Sequence, residues 1–498
     1  MSVDDLNVAV FVGALILLVA VVAVRISSRT GLPSLLIYLG LGVLIGESGA
    51  GIGFEDYPLT TVLGYAALVV ILAEGGLTTR WSSVRGSVAP AAMLATVGTV
   101  VSVVVVATAA HFLLGSPWPL ALMLGAVVSS TDAAAVFSVL RKVPLPRRLA
   151  GMLEAESGFN DAPVVIAVVS LSATASGGEQ HPAWQLGLEA VGQLAAGALV
   201  GVVVGWLGAR LLRTVALPSS GLYPIATLAL CALAYGTGTV LHASGFLAVY
   251  VAALVLGNSG LPHRQTVRGF AEGLGWLAQI GLFVLLGLLV SPGRLEEALL
   301  PALVVGTVLL LVARPLSVLA SVTWFGHSWR DQLFLSWAGL RGAVPIVLAT
   351  IPVAAGVPES EELFEIVFVL VVVFTLVQAP SLPVVARALR LHDDAPVDLE
   401  VESSPLEAMG AQVLQVSVGP TSRIHGMEVF ELRLPAGANV ALVVRGGRAL
   451  VPEPHTRLLH GDDLLVIATS QVRRVAETRL RQISEGGRLA QWKGDTDS

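Results

Sequence analysis
The chain has 498 residues, 55% of them hydrophobic and only 13% charged, against about 25% charged in a soluble domain; mean hydropathy is +0.80. This excludes an ordinary soluble enzyme and a disordered chain. A net charge of -6 offers no basic footprint for nucleic acid, and the single cysteine, Cys231, excludes a disulfide framework and a Cys-based zinc site. What remains is a polytopic membrane protein.

Thirteen apolar runs follow in chain order, at roughly 8–24, 32–46, 59–78, 87–110, 119–140, 149–175, 185–208, 222–242, 245–257, 269–290, 297–323, 331–355 and 363–386. Most are long enough to cross a hydrocarbon core. Loop charge orders them. With loops counted alternately, fifteen Lys and Arg fall in the odd loops and just after span 13, and one, Arg294, in the even loops. Basic loops mark the cytoplasmic side, so the N-terminus is expected outside and the region past residue 390 in the cytoplasm. Asp4 and Asp5, with no basic residue before the first apolar run, argue against a cleaved signal peptide.

The charges inside the spans are expensive and need a partner, water or a job. Span 5 holds Ser129-Ser130-Thr131-Asp132, span 6 holds Glu154, Glu156, Ser157, Asn160 and Asp161, and span 12 holds Arg341 between Gly339 and Gly342. On span 6 the spacing of Glu156 to Asn160, and of Ser157 to Asp161, stacks each pair one helical turn apart. The four predict one polar patch, with Gly158 loosening the backbone between them. Spans 5 and 12 place small residues and hydroxyls around a mid-span charge, where a helix can break and offer free amides and carbonyls to an ion. They are seven apart, an odd offset, so if 1–6 and 8–13 are repeats they have opposite topology. Any one of these groups could merely join helices, but so many on adjacent spans argue for a site, since Gly and Ala join helices more cheaply. Gly197, Gly201 and Gly205, four apart on span 7, read as such packing. Glu74, Glu272 and His242 lie near span ends, where reaching water is sufficient explanation.

At these residues the chain resembles the monovalent cation:proton antiporters of the NhaP-like branch. The motifs are Ser130-Thr131-Asp132, Glu156-Ser157-Gly158-Phe159-Asn160-Asp161 and Gly339-Leu340-Arg341-Gly342-Ala343. The resemblance implies an all-α membrane fold of about 13 helices with inverted repeats and broken crossing helices in spans 5 and 12. It implies antiport of potassium, or sodium, against protons, with Asp161 as the cation- and proton-binding carboxylate. Thr131 and Ser157 become oxygen donors, and Asn160 marks the branch with a single acid, suggesting electroneutral exchange. Asp132 would neutralise half-helix ends, and Glu156 and Arg341 would form a buried ion pair. It further implies a homodimer in the cell membrane. Ala133 stands where many relatives have proline, which leaves the break in span 5 open. Two other functions compete: a cation channel gated by a cytoplasmic module, opposed by the missing T-V-G-Y-G filter, and an intramembrane aspartyl protease built on Asp132 and Asp161, opposed by the missing G-x-G-D. No G-x-x-x-x-G-K-[ST] motif for nucleotide hydrolysis occurs, so no enzyme and no cofactor is expected.

Residues 1–390 thus read as the exchanger domain, 391–410 as an acidic linker, and 411–498 as a small α+β module. Strands are predicted at 413–418, 440–444 and 463–469, a hairpin at Gly446-Gly447 and an amphipathic helix at 472–483. The run Gly461-Asp462-Asp463-Leu464-Leu465-Val466, with Gly426 ahead of an expected apolar helix, Val443-Val444-Arg445 and Pro452, resembles the C-terminal half of an RCK regulatory module of TrkA-C type. That implies regulation, with a possible unidentified ligand, rather than catalysis.

Overall fold
Long runs of Val, Leu and Ala with few charges leave a backbone in lipid no partner but itself, so they fold as helices. The computed structural model describes residues 3–30, 34–47, 49, 51, 53–132, 145–177, 182–391, 411–420, 422–469 and 471–487. Eight helices in it are apolar and long enough to span a membrane, and five more are shorter and apolar, among the described residues. In chain order they are α1 (Val3–Thr30), α2 (Ser34–Ile45), α3 (Tyr57–Thr78), α4 (Val88–Leu114), α5 (Trp118–Val127), α6 (Arg147–Ala175), α7 (Ala183–Thr214), α8 (Leu222–Val240), α9 (Gly245–Asn258), α10 (Arg264–Leu288), α11 (Pro292–Phe325), the polar-ended α12 (Trp329–Trp337) with α13 (Ala343–Ala354), and α14 (Ser360–Ala388). Each predicted span has its helix. The second half of span 5, residues 133–144, lies outside the described residues.

Two features of this bundle position the site. First, α7 lies tight on α9: a Cβ on Gly197, Gly201 or Gly205 would press on Ser244, Ala248 and Val251, or Ala252 and Val255. The stripe is packing, as its spacing predicts. Second, spans 5 and 12 are not continuous. α5 stops at Val127 and the chain runs unwound through Asp132; α12 stops at Trp337 and α13 starts only at Ala343. Gly342 caps α13, and Pro345 falls in its first turn, where a missing N–H costs nothing. The two unwound stretches touch, the Asp132 amide donating to the Leu340 carbonyl at 2.9 Å. α4 and α11 each carry one wide π turn, Leu94–Gly98 and Leu309–Ala313.

The chain divides into two compact units, Met1–Asp394 and Ala395–Ser498. In the second, β1 (Ala411–Ser417), β2 (Ala438–Arg445), β3 (Arg448–Leu450) and β4 (Asp463–Thr469) form an antiparallel sheet of order β1-β4-β2-β3. Gly446 and Gly447, both with positive φ, make the β2–β3 turn. α15 (Arg473–Gly486) buries Ala476, Leu480 and Ile483 on one face. The helix expected after Gly426 is a single 3-10 turn, Val429–Leu432. Asp462, fully buried, accepts from Arg445 Nε and Nη2 and from the Leu459 amide, each at 2.8 Å. The guanidinium holds that carboxyl below the usual range. Residues 392–410, nearly all of the expected linker, lie outside the described residues.

Candidate functional site
α6 is helical without interruption past Gly158 and Pro163, so its polar residues are presented on a rigid rod. The unwound end of span 5 runs beside it. Ser130 Oγ donates to Asp161 Oδ1 at 2.6 Å, Ser157 Oγ donates to the Thr131 carbonyl at 2.9 Å, and Asn160 Nδ2 donates to Thr131 Oγ1 at 2.7 Å. Three polar residues of α6 are thereby stitched to two consecutive residues of the break. Asp161, Asn160, Ser130 and Thr131 are all at most 5% exposed. Asn160 Oδ1 is buried and accepts no hydrogen bond among the described residues. Ser130 was not among the predicted site residues, although its place in Ser129-Ser130-Thr131 was the signal.

Asp161, Ser157, Thr131 and Asp132 line a cavity of about 210 Å³ that extends to Glu74, Thr78, Thr79 and Glu154. Glu154 accepts a hydrogen bond from Thr79 at the end of α3. Glu74 is in the cavity wall, packed on Gly275 of α10. Glu272 is exposed and His242 is an exposed turn residue with positive φ; neither lines the cavity. Asp132 packs directly on Gly342: a Cβ there would overlap its Oδ2 and lie 2.6 Å from its Cγ. A glycine is required at this crossing by space, since its φ is ordinary for any residue.

The predicted Glu156–Arg341 pair is not formed. Glu156 points away from Asp161 and takes both Nη atoms of Arg314, on α11, at 2.5 and 2.8 Å, while Arg314 Nε donates to the Leu335 carbonyl at 3.3 Å. The patch foreseen on span 6 is therefore split. Ser157, Asn160 and Asp161 face the break, and Glu156 faces α11 and the end of α12. Arg341 is 3% exposed, and its Nε and Nη1 have no hydrogen-bond partner among the described residues. The reason is geometric: Arg314 follows the π turn of α11 and presents a fork to the carboxylate, and such bidentate pairs outcompete single contacts. Sequence reasoning missed Arg314, a charge inside span 11 whose partner no local spacing reveals.

The set of groups is chemically restricted. Carboxylates, hydroxyls and carbonyls are hard oxygen donors suited to alkali cations, and no cluster of metal-ligating side chains occurs among the described residues. The sodium/hydrogen exchanger transmembrane model matches residues 14–388, and the TrkA-C domain matches 413–488. The K(+)/H(+) antiporter NhaP of Alkalimonas amylolytica is 38% identical over 93% of this chain and 82% of its own length. The K(+)/H(+) antiporter NhaP2 of Shewanella oneidensis is 36% identical over 99% of this chain and 87% of its own. The Na(+)/H(+) antiporter ApNhaP of Aphanothece halophytica is 26% identical over 83% of this chain and 82% of its own. The solved sodium proton antiporter MjNhaP1 of Methanocaldococcus jannaschii shares the fold, with TM-score 0.67 and 21% identity over 77% of this chain and 99% of that one. The chain therefore belongs to the sodium/hydrogen exchanger family, as a multi-pass membrane antiporter of monovalent cations and protons and not an enzyme.

Proposed function
We propose that the protein exchanges potassium for protons, one for one, by competition for the Asp161 carboxylate. The observation that carries this is a buried acid, hydrogen-bonded to Ser130, at the end of a cavity whose walls add the oxygens of Thr131 and Ser157. One carboxylate cannot hold a proton and an alkali cation together, so occupancy by one expels the other. Alternating access then couples their fluxes without nucleotide hydrolysis. Asn160, where a second acid would add a second charge, instead braces Thr131, which favours electroneutral exchange. Asp132 and the neighbouring helix ends offset each other across the break. The names of the relatives at 36–38% identity favour potassium over sodium.

The positive-inside rule supports an outside N-terminus and a cytoplasmic C-terminal module in the cell membrane. In that orientation the part of the cavity lined by Thr78, Thr79 and Glu154 belongs to the cytoplasmic half. We further propose a homodimer, and a regulatory module at 411–498 after the linker 391–410. The decisive experiment measures proton flux in proteoliposomes, titrated with each alkali cation, for the native protein and Asp161→Asn. Asp161→Asn is expected to remain folded and to lose exchange completely. Exchange at the native rate in that variant refutes the assignment, and stimulation by sodium alone refutes the potassium preference.

A further inference from the structure
Two spaces lie back to back in the membrane unit. One is the polar cavity that ends at Asp161. The other is an apolar cleft of about 570 Å³ among α4, α6, α7 and α9, lined by Phe159, Leu247, Val251 and Leu254 among others. Tyr250 belongs to the wall of the first, while its neighbours Leu247, Val251 and Leu254 on the same helix line the second. Phe159 meets the Tyr250 ring edge-on, with centroids 5.8 Å apart and an 83° angle. The partition between the two spaces is therefore this aromatic pair.

Gly158 makes the partition possible. Its φ is ordinary, so the glycine is not there for backbone freedom. In a helix interior glycine is weaker than alanine, so its presence calls for another cause. The Tyr250 ring supplies one: a Cβ at 158 would overlap the ring and lie 2.7 Å from Cε1. The ring cannot retreat easily, since Tyr250 is 3% exposed. Its open side is the cavity, where it would obstruct the way to Asp161. Thr79, in the same cavity wall as Tyr250, donates its hydroxyl to Glu154. One side chain on α9 thus touches α6 next to Ser157.

We propose that Tyr250 is a positioning residue for cation exchange, its ring on Gly158 holding Ser157 and Asp161 against the break in span 5 and sealing the ion cavity from the apolar cleft. This rests on Asp161 being the exchange site. Two sets of variants test it in proteoliposomes. Gly158→Ala is expected to lower exchange about tenfold or more, the effect of overpacking a tight contact. Adding Tyr250→Ala is expected to restore it to the level of Tyr250→Ala alone. Separately, Tyr250→Ala is expected to raise the half-saturating cation concentration several-fold, by about the factor one lost positioning contact allows. It should also speed passive collapse of an imposed pH gradient without cation, while Tyr250→Phe, which keeps the ring, stays close to native in both. Should Tyr250→Ala not fold, Tyr250→Leu carries the same measurements. Native behaviour of Gly158→Ala, no recovery in the double variant, or an unchanged half-saturation and leak without the ring overturns the proposal. An active Asp161→Asn would instead remove the reading beneath it, so the two failures are separable.

Discussion

The buried Arg314–Glu156 pair invites the sharpest test of this fold. Arg314→Met keeps most of the aliphatic stem and removes the fork. The Glu156 carboxylate, 2% exposed, then loses contacts of 2.5 and 2.8 Å and is too deeply buried for bulk water to replace them. Stranding one member of a buried pair costs about 3–5 kcal/mol. Arg341 moderates this. It stands in the field of Glu156, and its Nε and Nη1 are unpaired among the described residues, so it can swing toward the orphaned acid. The expected loss is thus about 3 kcal/mol, the low end of that range. It should be read as thermal unfolding of detergent-solubilised protein by fluorescence-detected size exclusion, with exchange measured in parallel. Arg314→Met with Glu156→Gln strands no carboxylate and keeps the net charge, and should recover most of the stability, with a coupling energy well above the ~0.5 kcal/mol of independent sites. If Arg314→Met melts like the native protein, or the double variant is no better than the single, the pair is not what joins α6 to α11.

Two further outcomes follow from local geometry. Gly342→Ala drives a methyl into Asp132 at the crossing of the unwound stretches, and should reduce exchange at least tenfold, as forced shifts of about 1–3 kcal/mol in a tight core do; full activity would mean that the crossing is loose. His327, in the turn after α11, keeps Nδ1 buried without a hydrogen bond, 4.0 Å from the Asp331 Oδ2 that already accepts from Arg148 and the Ser328 amide. Burial, then Arg148, lowers its pKa, against the pull of Asp331. The unfolded chain therefore takes up the proton first as pH falls below the ordinary histidine value of about 6.5. The contribution to stability is full above that value and declines toward the depressed folded pKa. His327→Gln should flatten the melting temperature between pH 5 and 7, and an unaltered slope would show that another group titrates there.

The membrane class, the helices and their order were legible because lipid imposes one rule on every residue: an apolar run must satisfy its own backbone, and a basic loop marks one side. The breaks in spans 5 and 12 were legible for a related reason, since glycines, hydroxyls and a charge together at mid-span make a poor helix. The β-hairpin at Gly446-Gly447 likewise follows from a local need for positive φ. Spacing also brought Ser157 and Asp161 to one face of α6, beside Thr131. It failed for Glu156, one residue before Ser157, because helical periodicity fixes which side a residue faces and says nothing of what waits there. Arg314 comes from 158 residues further along the chain, and Tyr250 meets Gly158 from a helix three further along. Those pairings depend on how rigid helices pack, which the chain encodes only through the whole set of its contacts. The sequence by itself therefore determined that an acid and its oxygens lie together within the bilayer. Only the tertiary structure decided which arginine neutralises the neighbouring acid and which ring lines the cavity beside Gly158, because both depend on distances between helices remote in the chain.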